Sequence, residues 1–206
     1  MPPFTVLHVC LGNICRSPMA ERLLTLAVRE RLAKHAAEPV AGFSVDGLLH
    51  SHSAGTGGWH AGEEMNPPAA RQVLSRGGDV AGFGARKLRS EHIDGADLVL
   101  TATADQQEYV VALRPDAAAR TFVLGEFGRL LAGVDASALP PAGATPDEVH
   151  ARGVALVAAA DAARRGAHPL PGDDLDDPWG RGDQSFSRVA DEIEETVHPL
   201  AASLLP

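Results

Sequence analysis

Residues 4–21 read Phe-Thr-Val-Leu-His-Val-Cys-Leu-Gly-Asn-Ile-Cys-Arg-Ser-Pro-Met-Ala-Glu, and this stretch decides the fold. Residues 4–9 form a β-branched and apolar run, the pattern of a buried strand. Residues 10–17 form a polar loop that contains glycine. Pro18 after Ser17 reads as a helix start, with proline at the first helical position and serine as the cap. Leu23, Leu24, Ala27, Val28 and Leu32 then recur at helical spacing. A strand that passes through a short loop into a helix is the opening unit of an α/β fold. Ligands in such folds gather at the carboxyl ends of the strands, so 10–17 is the place to look for one.

The alternation continues along the chain. A second strand is expected within 48–53, then a loop at 54–66 and a helix at 67–76 that Gly77-Gly78 ends. A third strand is expected at 97–102, a helix at 105–113 and a fourth strand at 121–124. Alanine, proline and glycine dominate 132–146, which reads as a loop or insertion. Thr145 with Glu148 three residues on has the form of a capping box, opening a helix to about Arg165. Its many alanines make good helix and weak core. A second loop rich in proline, glycine and aspartate covers 166–182. Phe186, Val189, Ile193, Val197, Leu200 and Leu204 then form one apolar stripe on a last helix over 184–203. The expected architecture is a single α/β domain over 1–206, with an insertion at about 132–171. It has three layers: a four-stranded parallel sheet with helices on both faces.

Composition narrows the function. The chain has 206 residues, 18 basic against 27 acidic, and a net charge of -9. A nucleic-acid binder or a protein drawn to anionic membrane would be basic, so neither partner is expected. No apolar run approaches the ~18 residues of a membrane helix. Residues 1–9 carry no basic n-region, so the expected compartment is the cytoplasm. The only cysteines are Cys10 and Cys15, too few for a disulfide scaffold and without the second pair that a thiolate zinc site needs. A thiolate zinc site is therefore not expected.

An acidic protein that binds an anion must concentrate positive potential in one place, and the loop at 10–17 can do so. Its form is Cys-x5-Arg-Ser. Five residues between Cys10 and Arg16 can wrap the backbone so that the N–H groups of Leu11, Gly12, Asn13, Ile14, Cys15 and Arg16 converge on one point. Gly12 and Asn13 are the residues best able to take left-handed backbone there. The helix N-terminus adds free donors and partial positive charge. Arg16 supplies a fork that grips two oxygens at once. The loop is thus a phosphate loop after the first strand, holding a tetrahedral oxyanion against the sulfur of Cys10. A free thiol of pKa about 8.5 is only a few per cent thiolate at neutral pH. The N–H groups, Arg16 and the Ser17 hydroxyl all favour the anion, which makes Cys10 a candidate nucleophile.

These residues resemble a known family. The motif Val-Cys-x-Gly-Asn-x-Cys-Arg-Ser-Pro at 9–18 is similar to that of the low-molecular-weight protein tyrosine phosphatases and their arsenate-reductase relatives. Ser53-Ala54-Gly55-Thr56 with Trp59-His60 resembles a second family segment, and Asp177-Pro178-Trp179 resembles its general-acid loop. The resemblance covers about 4–130 and 172–204. It implies hydrolysis of phosphotyrosine-type monoesters, on a phosphorylated protein or a small aryl phosphate, through a phosphocysteine, with no metal and no cofactor. Cys10 is then the nucleophile and Arg16 the phosphate clamp. Asn13 fixes the loop by hydrogen bonds and Ser17 donates to the Cys10 sulfur. Asp177 acts as general acid and then general base, a proton donor that a poor leaving group needs. Cys15 forms a reversible disulfide with Cys10 in such enzymes.

Asp173, Asp174 and Asp176 rival Asp177 for the acid, and Pro178 favours Asp177 by stiffening the chain after it. Crowding among these carboxylates would raise the pKa of one of them. Trp59 and Trp179 are candidates for the substrate rim. Trp179-Gly180 stands where eukaryotic members carry a tyrosine pair, which is closer to bacterial members. Relatives that act on phosphoarginine carry a smaller polar residue at the position of Ile14, so Ile14 favours tyrosine. Arsenate is also a tetrahedral oxyanion, which leaves an arsenate reductase as an alternative. With no cysteine after Cys15, such an enzyme would need an external thiol. A phosphoprotein-binding module without catalysis is the remaining alternative.

Overall fold

The strand expected at 4–9 extends one residue further to form β1 (Phe4–Cys10), and α1 (Arg16–His35) follows it. The computed structural model describes residues 2–35 and 44–206. A short turn of helix, α2 (Val45–Leu48), leads into β2 (Leu49–Gly55). The elements α3 (Pro67–Ser75), α4 (Ser90–Asp94), β3 (Leu98–Thr101), α5 (Ala104–Leu113) and β4 (Thr121–Val123) come next. The chain ends with α6 (Leu124–Leu131), α7 (Pro146–Arg164) and α8 (Asp183–Leu204).

The four strands form one sheet in the order β2-β1-β3-β4, with every pair parallel. β1 is central, and Cys10 pairs in register with Gly55 at the end of β2. Side chains alternate across the sheet with period two. Phe4, Val6, Leu98, Leu100 and Phe122 pack with α1, α6, α7 and α8 on one face. Leu7, Val9 and Val99 pack with Ile93, Val110 and Ala117 on the other. The three layers expected from the sequence are present.

The apolar stripe of α8 is buried along its whole length, from Phe186 to Leu204. Each such side chain contributes about 1.5–3 kcal/mol through burial, so the stripe alone outweighs weak local propensity. The capping box at 145–148 is present, with Thr145 accepting from Glu148 N and Glu148 accepting from Thr145 N. The helix it opens does more core work than its alanines suggested. Val149, Leu156, Val157 and Ala160 join the main cluster, and Gly153 lets the helix lie on the Phe4 ring. Among the described residues no helix is long and apolar enough to cross a membrane.

Three local expectations are corrected. The first long helix begins at Arg16, so Ser17 lies inside its first turn and does not cap it. Pro18 is still tolerated there, because first-turn N–H groups have no partner within the helix. Gly12 does not take left-handed backbone; Asn13 does, at φ 56. A helix at 124–131 was not expected, because Gly125 and Gly128 weaken its signal. Both glycines answer tertiary needs: a Cβ on Gly125 would lie 2.5 Å from Asp173 O, and one on Gly128 would strike Thr196.

Candidate active site

The loop between β1 and α1 is shaped from outside by its carbonyl groups. Cys10 O accepts from Thr56 N at 2.9 Å and Leu11 O from Gly57 N at 2.8 Å. Ile14 O accepts from Asn66 N at 2.9 Å and Cys15 O from Met19 N at 3.1 Å. In a trans peptide the C=O and the next N–H point opposite ways, and no peptide bond here is cis. Outward carbonyls at 10, 11, 14 and 15 therefore turn the N–H groups of Leu11, Gly12, Cys15 and Arg16 the other way. Gly55 makes the wrap possible from below. A Cβ there would lie 2.7 Å from Leu11 O and 3.0 Å from Asn13 N.

Asn13 holds the left-handed turn through both ends of its amide. Nδ2 donates to Ser17 Oγ at 2.9 Å and to Ser53 Oγ at 2.8 Å, while Oδ1 accepts from Arg86 N at 2.9 Å. Ser53 Oγ donates onward to Glu21 Oε2 at 2.6 Å. Burial pushes the Glu21 carboxyl up, and Ser53, Arg22 and Arg86 offset that only in part. Ser17 Oγ lies 2.9 Å from Cys10 Sγ. The sulfur is thus the end of a buried polar chain that starts at a carboxylate one helical turn into α1.

Cys10 and Cys15 are both buried and free. Burial, then the charges of Cys10 and Asp177, push the Cys15 thiol up to about 12 against a smaller opposing effect of Arg16. Cys15 therefore stays protonated at neutral pH and does not compete as a nucleophile. Arg16 is 5% exposed, which is rare for arginine and demands partners. Its Nη1 donates to Leu175 O at 3.1 Å and its Nη2 lies 3.2 Å from Asp177 Oδ2. Its Nε is buried and has no hydrogen-bond partner among the described residues.

The four aspartates of 173–177 separate by partner. Asp173 is buried against Arg129, which grips both oxygens at 3.1 and 2.7 Å. Asp174 accepts from Ala104 N at 2.8 Å, at the start of α5. Asp176 pairs with Arg188 at 2.9 Å on the surface. Only Asp177 reaches the cavity beside Cys10 and Arg16. The crowding expected among these carboxylates raises neither Asp176 nor Asp173. The hydrogen bond from Arg188 holds Asp176 below the usual carboxylate range. For Asp173, burial raises the carboxyl, but Arg129 and the Leu170 N–H outweigh it and the net shift is downward.

The cavity has a volume of about 220 Å³, with Cys10, Arg16 and Cys15 among its lining residues. Leu11, Gly12, Ile14, Trp59, Asp177 and Trp179 also line it, whereas Asn13 and Ser17, expected at the phosphate, are not among its lining residues. Trp59 and Trp179 are 63% and 64% exposed, so both are rim residues and not core packing. The Trp59 ring folds over Gly57, where any Cβ would strike it. His60 joins the lining and its Nδ1 meets Glu63 Oε2 at 2.8 Å. Among the described residues no group of three or more His, Cys, Asp or Glu side chains could hold a metal ion.

A family model described as low molecular weight phosphotyrosine protein phosphatase matches residues 5–140, which contain the whole loop. The chain belongs to that family. It is 38% identical over 104 residues to the low molecular weight protein-tyrosine-phosphatase YfkJ of Bacillus subtilis, covering 49% of this chain and 57% of that protein. It is 30% identical over 148 residues to a protein-arginine-phosphatase of Geobacillus stearothermophilus, covering 72% and 84%. Among solved structures, the YwlE arginine phosphatase of Geobacillus stearothermophilus matches with a TM-score of 0.62 and 25% identity, over 98% and 93% of the two chains. The tyrosine phosphatase Wzb of Escherichia coli K30 shares the fold, with a TM-score of 0.63 at 20% identity.

Within this member of the low molecular weight phosphatase family, sequence reasoning missed four contributors to the site. Glu21, Ser53 and Arg86 support Asn13 from 8, 40 and 73 positions away, and Gly55 supports the loop floor. Ser53 and Gly55 lay inside a quoted motif, which was the available signal. Glu21 closes the stretch 4–21 but was given no role there, and Arg86 contributes a backbone N–H that no residue type announces.

Proposed function

We propose that the protein hydrolyses phosphotyrosine-type monoesters through a phosphocysteine on Cys10. The observation that carries this reading is the convergence of Cys10, Arg16 and Asp177 on one cavity rimmed by Trp59 and Trp179. The inward N–H groups and the Arg16 fork hold the non-bridging oxygens, which stabilises charge as it spreads in the transition state. The Cys10 thiolate attacks phosphorus, so an S–P bond forms as the bond to the leaving oxygen breaks. Protonated Asp177 gives its proton to that oxygen. The resulting Asp177 carboxylate then takes a proton from water, whose oxygen attacks phosphorus. The S–P bond breaks, the electron pair returns to sulfur, and inorganic phosphate leaves with Asp177 reprotonated.

The apolar Ile14 wall and the two exposed tryptophans support a flat aryl group in the cavity. The similarity to a protein-arginine-phosphatase supports a second reading, in which the phosphoryl group comes from nitrogen. Residues 132–171 are read as an insertion into one phosphatase domain, with α7 sharing the main core. The free cysteine pair and the acidic surface suit a cytoplasmic enzyme acting on phosphorylated protein.

A side-by-side assay tests the reading, with an aryl phosphate, phosphotyrosine and phosphoarginine peptides, and arsenate with a small thiol. Turnover is expected on the aryl phosphate and phosphotyrosine, and Cys10→Ser is expected to abolish it. Asp177→Asn is expected to cost about a hundredfold on substrates with poor leaving groups. Preferred turnover of phosphoarginine or arsenate would replace the substrate assignment, and an active Cys10→Ser would overturn the mechanism.

A further inference from the structure

We propose that Arg129 and Asp173 form a clamp that positions Asp177 for proton transfer. The proposal rests on Asp177 being the general acid. Arg129 stands on α6 and reaches across to the loop before α8, where its Nε and Nη2 meet the two oxygens of Asp173. Asp173 is 5% exposed, and its Oδ2 also accepts from Leu170 N at 2.7 Å. A buried carboxylate with three donors on it is held in one geometry, since losing any of them leaves charge unsatisfied. The fit is close on the backbone side as well. A Cβ on Gly125 would lie 2.5 Å from Asp173 O and 2.9 Å from its Cα, so α6 rests directly on the loop.

From this anchor the chain runs only four residues to Asp177. Asp174 and Leu175 are fixed to the end of β3 and the start of α5, through Ala104 N at 2.8 Å and Leu175 N to Ala102 O at 2.8 Å. Leu175 O receives Arg16 Nη1. Beyond them the support thins. Asp176 and Arg188 are both about half exposed, and Trp179 is exposed. Among the described residues the ion-pair and hydrogen-bond partners of Asp177 are Arg16 Nη2 and the Trp179 N–H. Its place over the cavity is therefore inherited from 173–175, and Asp173 is the buried carboxylate that ties this segment to α6. Arg129 and Asp173 line a surface cleft with Glu192 and Glu195 and stay outside the cavity that holds Cys10. They touch no reacting atom, so they are positioning residues.

The test uses the full-length protein with a series of aryl phosphates of graded leaving-group basicity. Arg129→Ala and Asp173→Asn are measured alone and in an Asp177→Asn background. Arg129→Ala leaves the buried Asp173 carboxylate short of two donors, so thermal melts accompany every variant, and the charge-keeping Arg129→Lys carries the test where Arg129→Ala does not fold. Arg129→Ala is expected to lower kcat/KM about tenfold on the poorest leaving groups and by less than about twofold on the best, because a displaced acid is missed only where a proton is needed. Arg129→Lys is expected to restore part of the loss. In the Asp177→Asn background the same substitution is expected to add nothing, the mark of two changes acting through one group. A loss equal across the series, or one that persists with Asp177→Asn, overturns the clamp. If Asp177→Asn itself shows no leaving-group dependence, the acid assignment falls first, and the two failures are thereby told apart.

Discussion

Replacing Gly55 by alanine adds one methyl group beneath the loop at 10–17, and the structure says what it meets. The new Cβ would lie 2.7 Å from Leu11 O, 3.0 Å from Asn13 N and 3.0 Å from Gly12 C. All three are backbone atoms, so no flexible side chain can swing aside. Gly55 cannot retreat either, since its N–H donates to Arg86 O at 2.9 Å and its carbonyl accepts from Leu88 N at 2.7 Å. Opening the shortest contact from 2.7 Å to an ordinary 3.4 Å moves the loop by about 0.7 Å. A misplacement of 1 Å costs about a hundredfold in a reaction that depends on near-attack geometry. Scaled to this shift, the loss is about 25-fold in kcat/KM, or about 2 kcal/mol of transition-state stabilisation. Overpacking of this size also lowers stability by about 1–3 kcal/mol, which leaves the protein folded. The assay is aryl phosphate hydrolysis with inorganic phosphate as competitive inhibitor, alongside a thermal melt. A Gly55→Ala protein with native kcat/KM and native phosphate inhibition would refute the claim that backbone shape makes this site.

Two further outcomes follow from the buried titratable groups. Burial, then the charge of His52, lowers the His8 imidazole to about 3 from an ordinary 6.5. The unfolded chain therefore binds a proton that the folded one refuses, and stability drops as pH falls from about 6.5 towards 3, by up to about 1.4 kcal/mol per pH unit. His8→Leu is expected to flatten that decline in melts taken across weakly acidic pH, and an unchanged slope would count against it. Ser53→Ala removes one donor from Glu21 and one acceptor from Asn13, each left unmet at about 1–3 kcal/mol. Because Ser53 favours the ionised Glu21 carboxylate, the loss is expected to be larger at about pH 8 than at about pH 5. Denaturant titrations at both values check the order, and a larger loss at the acidic value would contradict the buried chain of hydrogen bonds.

The loop at 10–17 was legible because each of its parts has a separate mechanical duty within eight consecutive residues. The stripe of α8 and the box at Thr145 were legible because local spacing alone encodes them. Helix α6 was hidden, since Gly125 and Gly128 obey contacts with Asp173 and Thr196 that no local pattern carries. The support of Asn13 by Ser53, Glu21 and Arg86 was hidden for the same reason: the partners meet only after the sheet has formed. The four aspartates of 173–177 could be ranked by the proline after Asp177 but not separated. Their division into a buried pair with Arg129, a contact at the start of α5, a surface pair and a cavity-lining residue depends on α5, α6 and α8 arriving beside them.

The central claim is that phosphorus passes through the sulfur of Cys10. Acid quenching during turnover of an aryl phosphate, followed by mass analysis of the peptide carrying Cys10, tests it most directly. A phosphoryl adduct on Cys10 is expected, more abundant with Asp177→Asn on an aryl phosphate whose leaving group needs no proton, because water attack then lacks its base. Turnover without any adduct on Cys10, with phosphate released in a single direct displacement by water, would contradict the account.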